Sequence, residues 1–181
     1  MNEDVKDKKI YIVLTYSGTI LSRLIRVYTR EKYCHVSVSL DEDLNEMYSF
    51  GRLRPYNPFI AGFVHENPSY GTFKRFKNTK TEIYSVDVTE SQYNKVKEII
   101  NNFNSNNCRY KFNIVGLFAV AFHIKFKRKN SFYCAEFVKY VVDNADLNME
   151  LPDIVKPTDF RKQDLMNLEY KGILRNYKII E

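Results

Sequence analysis

The chain has 181 residues and a mass of 21.5 kDa, the size of one domain spanning 1–181 rather than two. Hydrophobic residues make up 44% and charged residues 28%, and only 6 glycines and 5 prolines are present, which excludes fibrous, collagen-like and low-complexity chains. The net charge of +6 is spread over short basic clusters, Lys74 to Lys80 and Lys125 to Lys129, which suit either a solvated face or an anionic partner; no RNA-binding signature points to nucleic acid specifically.

Met1 to Lys9 carries charges of both signs and lacks the layout of a secretory signal, so a cytoplasmic protein is expected. Lys9 to Tyr16 (KIYIVLTY) is β-branched and aromatic and ends at Ser17-Gly18, as a buried strand would. Residues 19–29 place Ile20, Leu21, Leu24, Ile25 and Tyr28 at helical spacing. His35 to Leu40 alternates Val36, Val38 and Leu40 against His35, Ser37 and Ser39, which sets His35 on the polar face of a strand. The acidic turn at Asp41 leads into a second strand, Leu44 to Phe50, and a hairpin is predicted. Gly62 to Val64 and Thr81 to Val88 are further strands, separated by a loop with Lys74-Arg75 at its tip.

Thr89-Glu90-Ser91-Gln92 has the form of a capping box, and Tyr93, Val96, Ile99, Ile100 and Phe103 follow at helical spacing. Phe112 to Lys125 reads as a buried helix, because Asn113 and His123 interrupt an apolar run shorter than the ~18 to 20 residues that span a bilayer. Ser131 is placed to cap a helix over Phe132 to Asn144, Pro157 opens another amphipathic segment, and Ile173 to Ile180 is a terminal strand. The order of elements predicts an α+β domain, with an antiparallel sheet packed against helices.

Cys134 falls in the first turn of the predicted helix, where the dipole and unpaired N–H groups favour a thiolate. It also shares a helical face with Val138, Val141 and Ala145, so a core cysteine and a nucleophile remain alternatives. His35 is the candidate base, and Glu46, on the returning strand, the candidate third member that orients it; Ser49 and Glu66 are alternatives. The three cysteines, Cys34, Cys108 and Cys134, show no CxxC spacing, and His65 and His123 lack companions at ligand spacing, so neither a disulfide framework, a metal site nor a cofactor is expected.

The stretch Tyr33 to Leu40, then Glu46 to Arg52 (EMYSFGR), and much later Phe132 to Val138 (FYCAEFV) resembles the permuted NlpC/P60 family of papain-like enzymes, in which the histidine strand precedes the cysteine helix. The resemblance implies a circularly permuted papain-like fold with Cys134 as nucleophile, His35 as base, Glu46 as third member and Tyr16 helping to hold an oxyanion. It further implies a cysteine peptidase or amidase, a thiol hydrolase acting on peptide or peptidoglycan-fragment substrates. Two alternatives stand beside it: a lipid-directed thioester acyltransferase, and a non-catalytic binding module with a basic, aromatic surface.

Overall fold

The computed structural model describes residues 5–19, 22–23, 26–27, 31–121, 124 and 128–178. Most of the helix expected over 19–29, His123 and part of the basic run at 125–129 lie outside them. Five strands follow the chain as β1 (Lys8–Tyr16), β2 (His35–Ser39), β3 (Met47–Arg54), β4 (Asn57–Glu66) and β5 (Lys80–Val88), with the short helix α1 (Gly71–Arg75) before β5. Then come α2 (Glu90–Ser105), β6 (Lys111–Phe112), α3 (Ile114–Ala121), β7 (Ser131–Phe132), α4 (Cys134–Asn144) and β8 (Asn167–Ile173).

The main sheet has six strands in the order β4-β3-β2-β1-β5-β8, and every neighbouring pair is antiparallel. β1 is almost wholly apolar because both of its faces are covered. Ile10, Ile12 and Leu14 join the core shared with α4, whereas Tyr11 and Val13 pack with Leu44, Met47, Phe73, Ile83 and Leu174 on the opposite side.

α4 buries Cys134, Ala135, Phe137, Val138, Val141 and Val142, a stripe at helical spacing that faces the sheet. Phe137 meets Phe50, Phe63 and Phe103 at centroid distances of 5.5, 5.5 and 5.1 Å. Buried phenylalanines contribute roughly 1.5–3 kcal/mol each, so this cluster is a main tie between helix and sheet. At the start of α2 the expected capping box forms: Gln92 N donates to Thr89 Oγ1 at 3.2 Å and Thr89 N donates to Gln92 Oε1 at 3.0 Å.

Three expected boundaries differ. Ser131 is not the cap of α4; it lies in β7, which runs parallel to β6, and Tyr133 is the N-cap. Glu136 takes the capping role from inside the first turn, its carboxylate accepting from the Tyr133 backbone N–H at 3.2 Å and from Asn113 Nδ2 at 3.3 Å. The final strand is Asn167–Ile173 rather than Ile173 to Ile180, since it pairs with β5 and a tight turn at Leu174–Asn176 ends it. Lys74 and Arg75 close α1 instead of lying at an open loop tip.

Candidate functional site

The β7–α4 junction carries Cys134 to the sheet at the end where β2 begins. His35 is the first residue of β2 and Cys134 the first of α4, and both line one cleft, together with Gly51 and Arg52 of β3 and Glu66 of β4. Phe50, Ala61, Phe73, Phe112, Ile114 and Leu117 supply most of its wall, and the cleft encloses about 100 Å³.

His35 Nε2 lies 3.0 and 3.1 Å from the two carboxylate oxygens of Glu66. Ser37, two residues along β2 and therefore on the same face, donates its hydroxyl to Glu66 Oε2 at 2.5 Å. Glu66 is 9% exposed and His35 21%. Burial by itself would lower the pKa of His35, but the charge of Glu66 and the hydrogen bonds and charge offered by Glu66 and Cys134 outweigh it and hold the imidazole well above its ordinary value. Glu66 engages the ring at Nε2, and Cys134 is its other hydrogen-bonding neighbour.

Glu66 reaches His35 from two strands away because the strand between them is bare at the crossing point. Continued along the ladder, the β2–β3 pairing of Val38 with Tyr48 and Ser39 with Met47 sets Gly51 across from His35. A Cβ at Gly51 would sit 3.3 Å from both Glu66 Oε1 and His35 Cε1, so the glycine supplies the space through which the pair meets.

Of the residues singled out in the sequence, Cys134 and His35 are brought together, whereas Glu46 and Tyr16 are not. Glu46 sits exposed in the hairpin turn, where its carbonyl accepts from Leu40 N at 3.1 Å. In an antiparallel hairpin the residues flanking the turn lie farthest from the start of the first strand, so the carboxylate on His35 comes from β4 and not from the hairpin. Ser49 is buried and donates to the Val36 carbonyl at 2.7 Å. Tyr16 has the wrong parity: its neighbours Thr15 and Ser17 line the cleft, while its own ring packs under the Arg26 guanidinium at 5.0 Å.

Cys34 also lines the cleft, and burial first, with the neighbouring Cys134 second, pushes its thiol up to about 12. It precedes β2, so strand alternation does not set it on the side away from His35. Cys108 is exposed, and His65 is held at the surface by Asn45 O and a stacked Tyr48 ring.

No family model matches the chain, and no curated protein sequence matches it. Among solved structures the chain is similar to the crystal structure of the metalloprotein yiiX from Escherichia coli O157:H7, DUF1105. The identity is 13%, the match covers 93% of this chain and 99% of the other, and the TM-score is 0.55. That likeness shows the fold: a mixed α+β architecture resembling yiiX/DUF1105.

The assignment to the permuted NlpC/P60 family is corrected accordingly, and the permuted papain-like topology gives way to the yiiX/DUF1105 architecture. The cysteine peptidase or amidase activity, and the acyl-transfer variant built on the same resemblance, fall with it, since their support was short motifs around His35 and Cys134. A histidine opening a strand and a cysteine opening a helix are each compatible with many α+β proteins. The basic residues 74–80 divide among the end of α1, a turn and the start of β5.

A metal does not fit the described residues. No group of three histidine, cysteine, aspartate or glutamate side chains among them is arranged to hold an ion. His35 Nε2 and both Glu66 oxygens are directed at one another instead of at a common centre. Among the described residues no helix is long and apolar enough to cross a membrane.

Proposed function

We propose that the chain is a ligand-binding protein whose cleft takes a small molecule with an apolar body, its polar end meeting His35 and Cys134. The observation that supports this most directly is the pairing, in one cleft, of a wall of phenylalanine and aliphatic side chains with a half-buried histidine held by a carboxylate. Such a mixture, mostly apolar with a few fixed polar groups, is what orients a small ligand.

Each protein group has a definite part. The aromatic wall shelters the body of the ligand. The N–H groups opening α4 at Cys134 and Ala135, which have no acceptor within the helix, offer donors to an acceptor oxygen, with the His35 ring beside them. Glu66 and Ser37 fix the ring. Cys134 stands next to the bound polar end; the assignment is capture of the ligand, not its cleavage. A peptide or peptidoglycan fragment, polar along its length, is a poorer match to this wall. A cytoplasmic location is part of the same proposal, and the free thiols of Cys34, Cys108 and Cys134 are compatible with a reducing compartment.

The test is displacement of a fluorescent apolar probe by hexanol, octanol and decanol. Burying one methylene is worth about 0.8 kcal/mol, so affinity should rise about fourfold per methylene until the wall is filled. Leu117→Asp should abolish the dependence. A flat series, or a Leu117→Asp protein that behaves as wild type, would set the proposal aside.

A further inference from the structure

Among the described residues, the titratable side chains lining the cleft besides its cysteines are Arg52, His35 and Glu66. Glu66 is committed to His35 at 3.0 Å and to Ser37 at 2.5 Å, so it is turned away from Arg52. Arg52 is left over. Its Nη2 donates to Thr19 Oγ1 at 2.8 Å and its guanidinium lies 5.7 Å from the Phe76 ring; among the described residues no carboxylate pairs with it. A guanidinium has five N–H donors, and a half-buried one facing an apolar wall is expensive to leave without a counter-charge.

A second guanidinium stands behind the first. Arg75 is held against the same Phe76 ring at 5.2 Å and over Tyr56 at 4.1 Å, and donates to the Pro55 carbonyl at 2.8 Å, again without a carboxylate among the described residues. Burial and then the Arg75 charge both lower the pKa of Arg52, which is the electrostatic cost that an anion at this place would relieve. The cleft thus pairs an apolar body site with a guanidinium that no carboxylate among the described residues meets.

On the reading of the cleft as a ligand site, we infer that its ligand is an amphipathic monoanion, an apolar chain ending in a carboxylate or a comparable acidic group, and that Arg52 selects the charge. The Glu66 carboxylate is engaged by His35 and Ser37 and is not turned toward Arg52. Arg52 is a specificity residue in this scheme: an alcohol of the same chain length occupies the same wall and forgoes only the ion pair.

The experiment compares decanoate, decanol and acetate as competitors for a fluorescent apolar probe on wild type and Arg52→Gln, at low ionic strength. Wild type should bind decanoate about tenfold or more tighter than decanol, in line with a charge-assisted hydrogen bond. Arg52→Gln should remove that preference and leave decanol affinity unchanged, which also shows the variant folded with its cleft intact. Acetate, the head without the body, should displace nothing. Equal binding of decanoate and decanol by wild type, or a preference that survives Arg52→Gln, overturns the inference and leaves the cleft as a neutral apolar site. Displacement by acetate at decanoate concentrations overturns it in favour of a free-anion site. Binding of neither ten-carbon compound overturns the ligand-site reading itself.

Discussion

Replacing Glu66 by glutamine keeps the shape of the side chain and removes the charge on which the His35 imidazolium rests. A hydrogen bond to a charged group is worth roughly 1.5–3 kcal/mol net. His35 is 21% exposed and Glu66 9%, so water screens the pair only in part and a loss of about 2 kcal/mol is expected. For a domain of this length that corresponds to a fall in Tm of about 4–8 °C. The loss should depend on pH with a definite sign. His35 is raised above its ordinary 6.5 in the folded protein, so its stabilisation is fully present below that value and fades as pH rises through the folded pKa. In Glu66→Gln the burial that opposes the charge is no longer outweighed by Glu66, so the ring gives up its proton at a lower pH. Thermal denaturation at pH 6 and pH 9, together with NMR titration of the histidine ring, reads both effects. The reasoning is refuted if the two proteins melt together at pH 6, or if His35 titrates at the same pH in both.

Gly51→Val should produce the same signature by a different route, since even a Cβ would stand 3.3 Å from Glu66 Oε1 and His35 Cε1; a drop of about 1–3 kcal/mol and an altered His35 titration are expected, and an unchanged titration would show that the space at Gly51 is not what the pair requires. On the far side of β1, Glu82 is 1% exposed and meets Arg161 at 2.7 Å, Lys171 at 3.3 Å and Lys32 at 3.5 Å. Burial raises its pKa, but the bonds to Tyr84 and Lys171 and the charges of Arg161 and Lys32 outweigh that and hold it below the ordinary 4.5. Its stabilisation is therefore present above 4.5 and lost as pH falls through the folded value. Glu82→Gln should cost about 2 kcal/mol at neutral pH, limited because the three cations regain water, and should flatten the acid limb of the stability curve; an acid limb identical to wild type would contradict this.

Much of the sheet could be read from the sequence because its signals are local. The alternation of His35, Ser37 and Ser39 with Val36 and Val38 survives as β2, and Thr89 and Gln92 cap α2 with bonds that a four-residue window contains. What was not legible depends on pairing between distant segments. Nothing near His35 marks Glu66 as its partner, because the two residues meet only after β4 has paired with β3 and only across a glycine. The place of Tyr16 follows from its parity in β1, a local signal, since Thr15 and Ser17 on either side of it line the cleft. Ser131 has the composition of a cap, but its pairing in β7 decides its role. Arg52 belongs to the stretch Glu46 to Arg52, yet its lack of an acidic partner among the described residues is a property of the folded cleft.

Occupancy of the cleft is tested most directly by iodoacetamide alkylation read at each cysteine by mass spectrometry, with and without decanol at saturating concentration. Cys134 is 4% exposed on the wall of the cleft and Cys108 lies in the open, so each reports on a different place. A ligand seated against His35 and Cys134 should slow Cys134 labelling severalfold and leave Cys108 unchanged. A Cys134 rate indifferent to decanol, under conditions where the fluorescent probe is displaced, would mean that the apolar ligand binds somewhere other than this cleft.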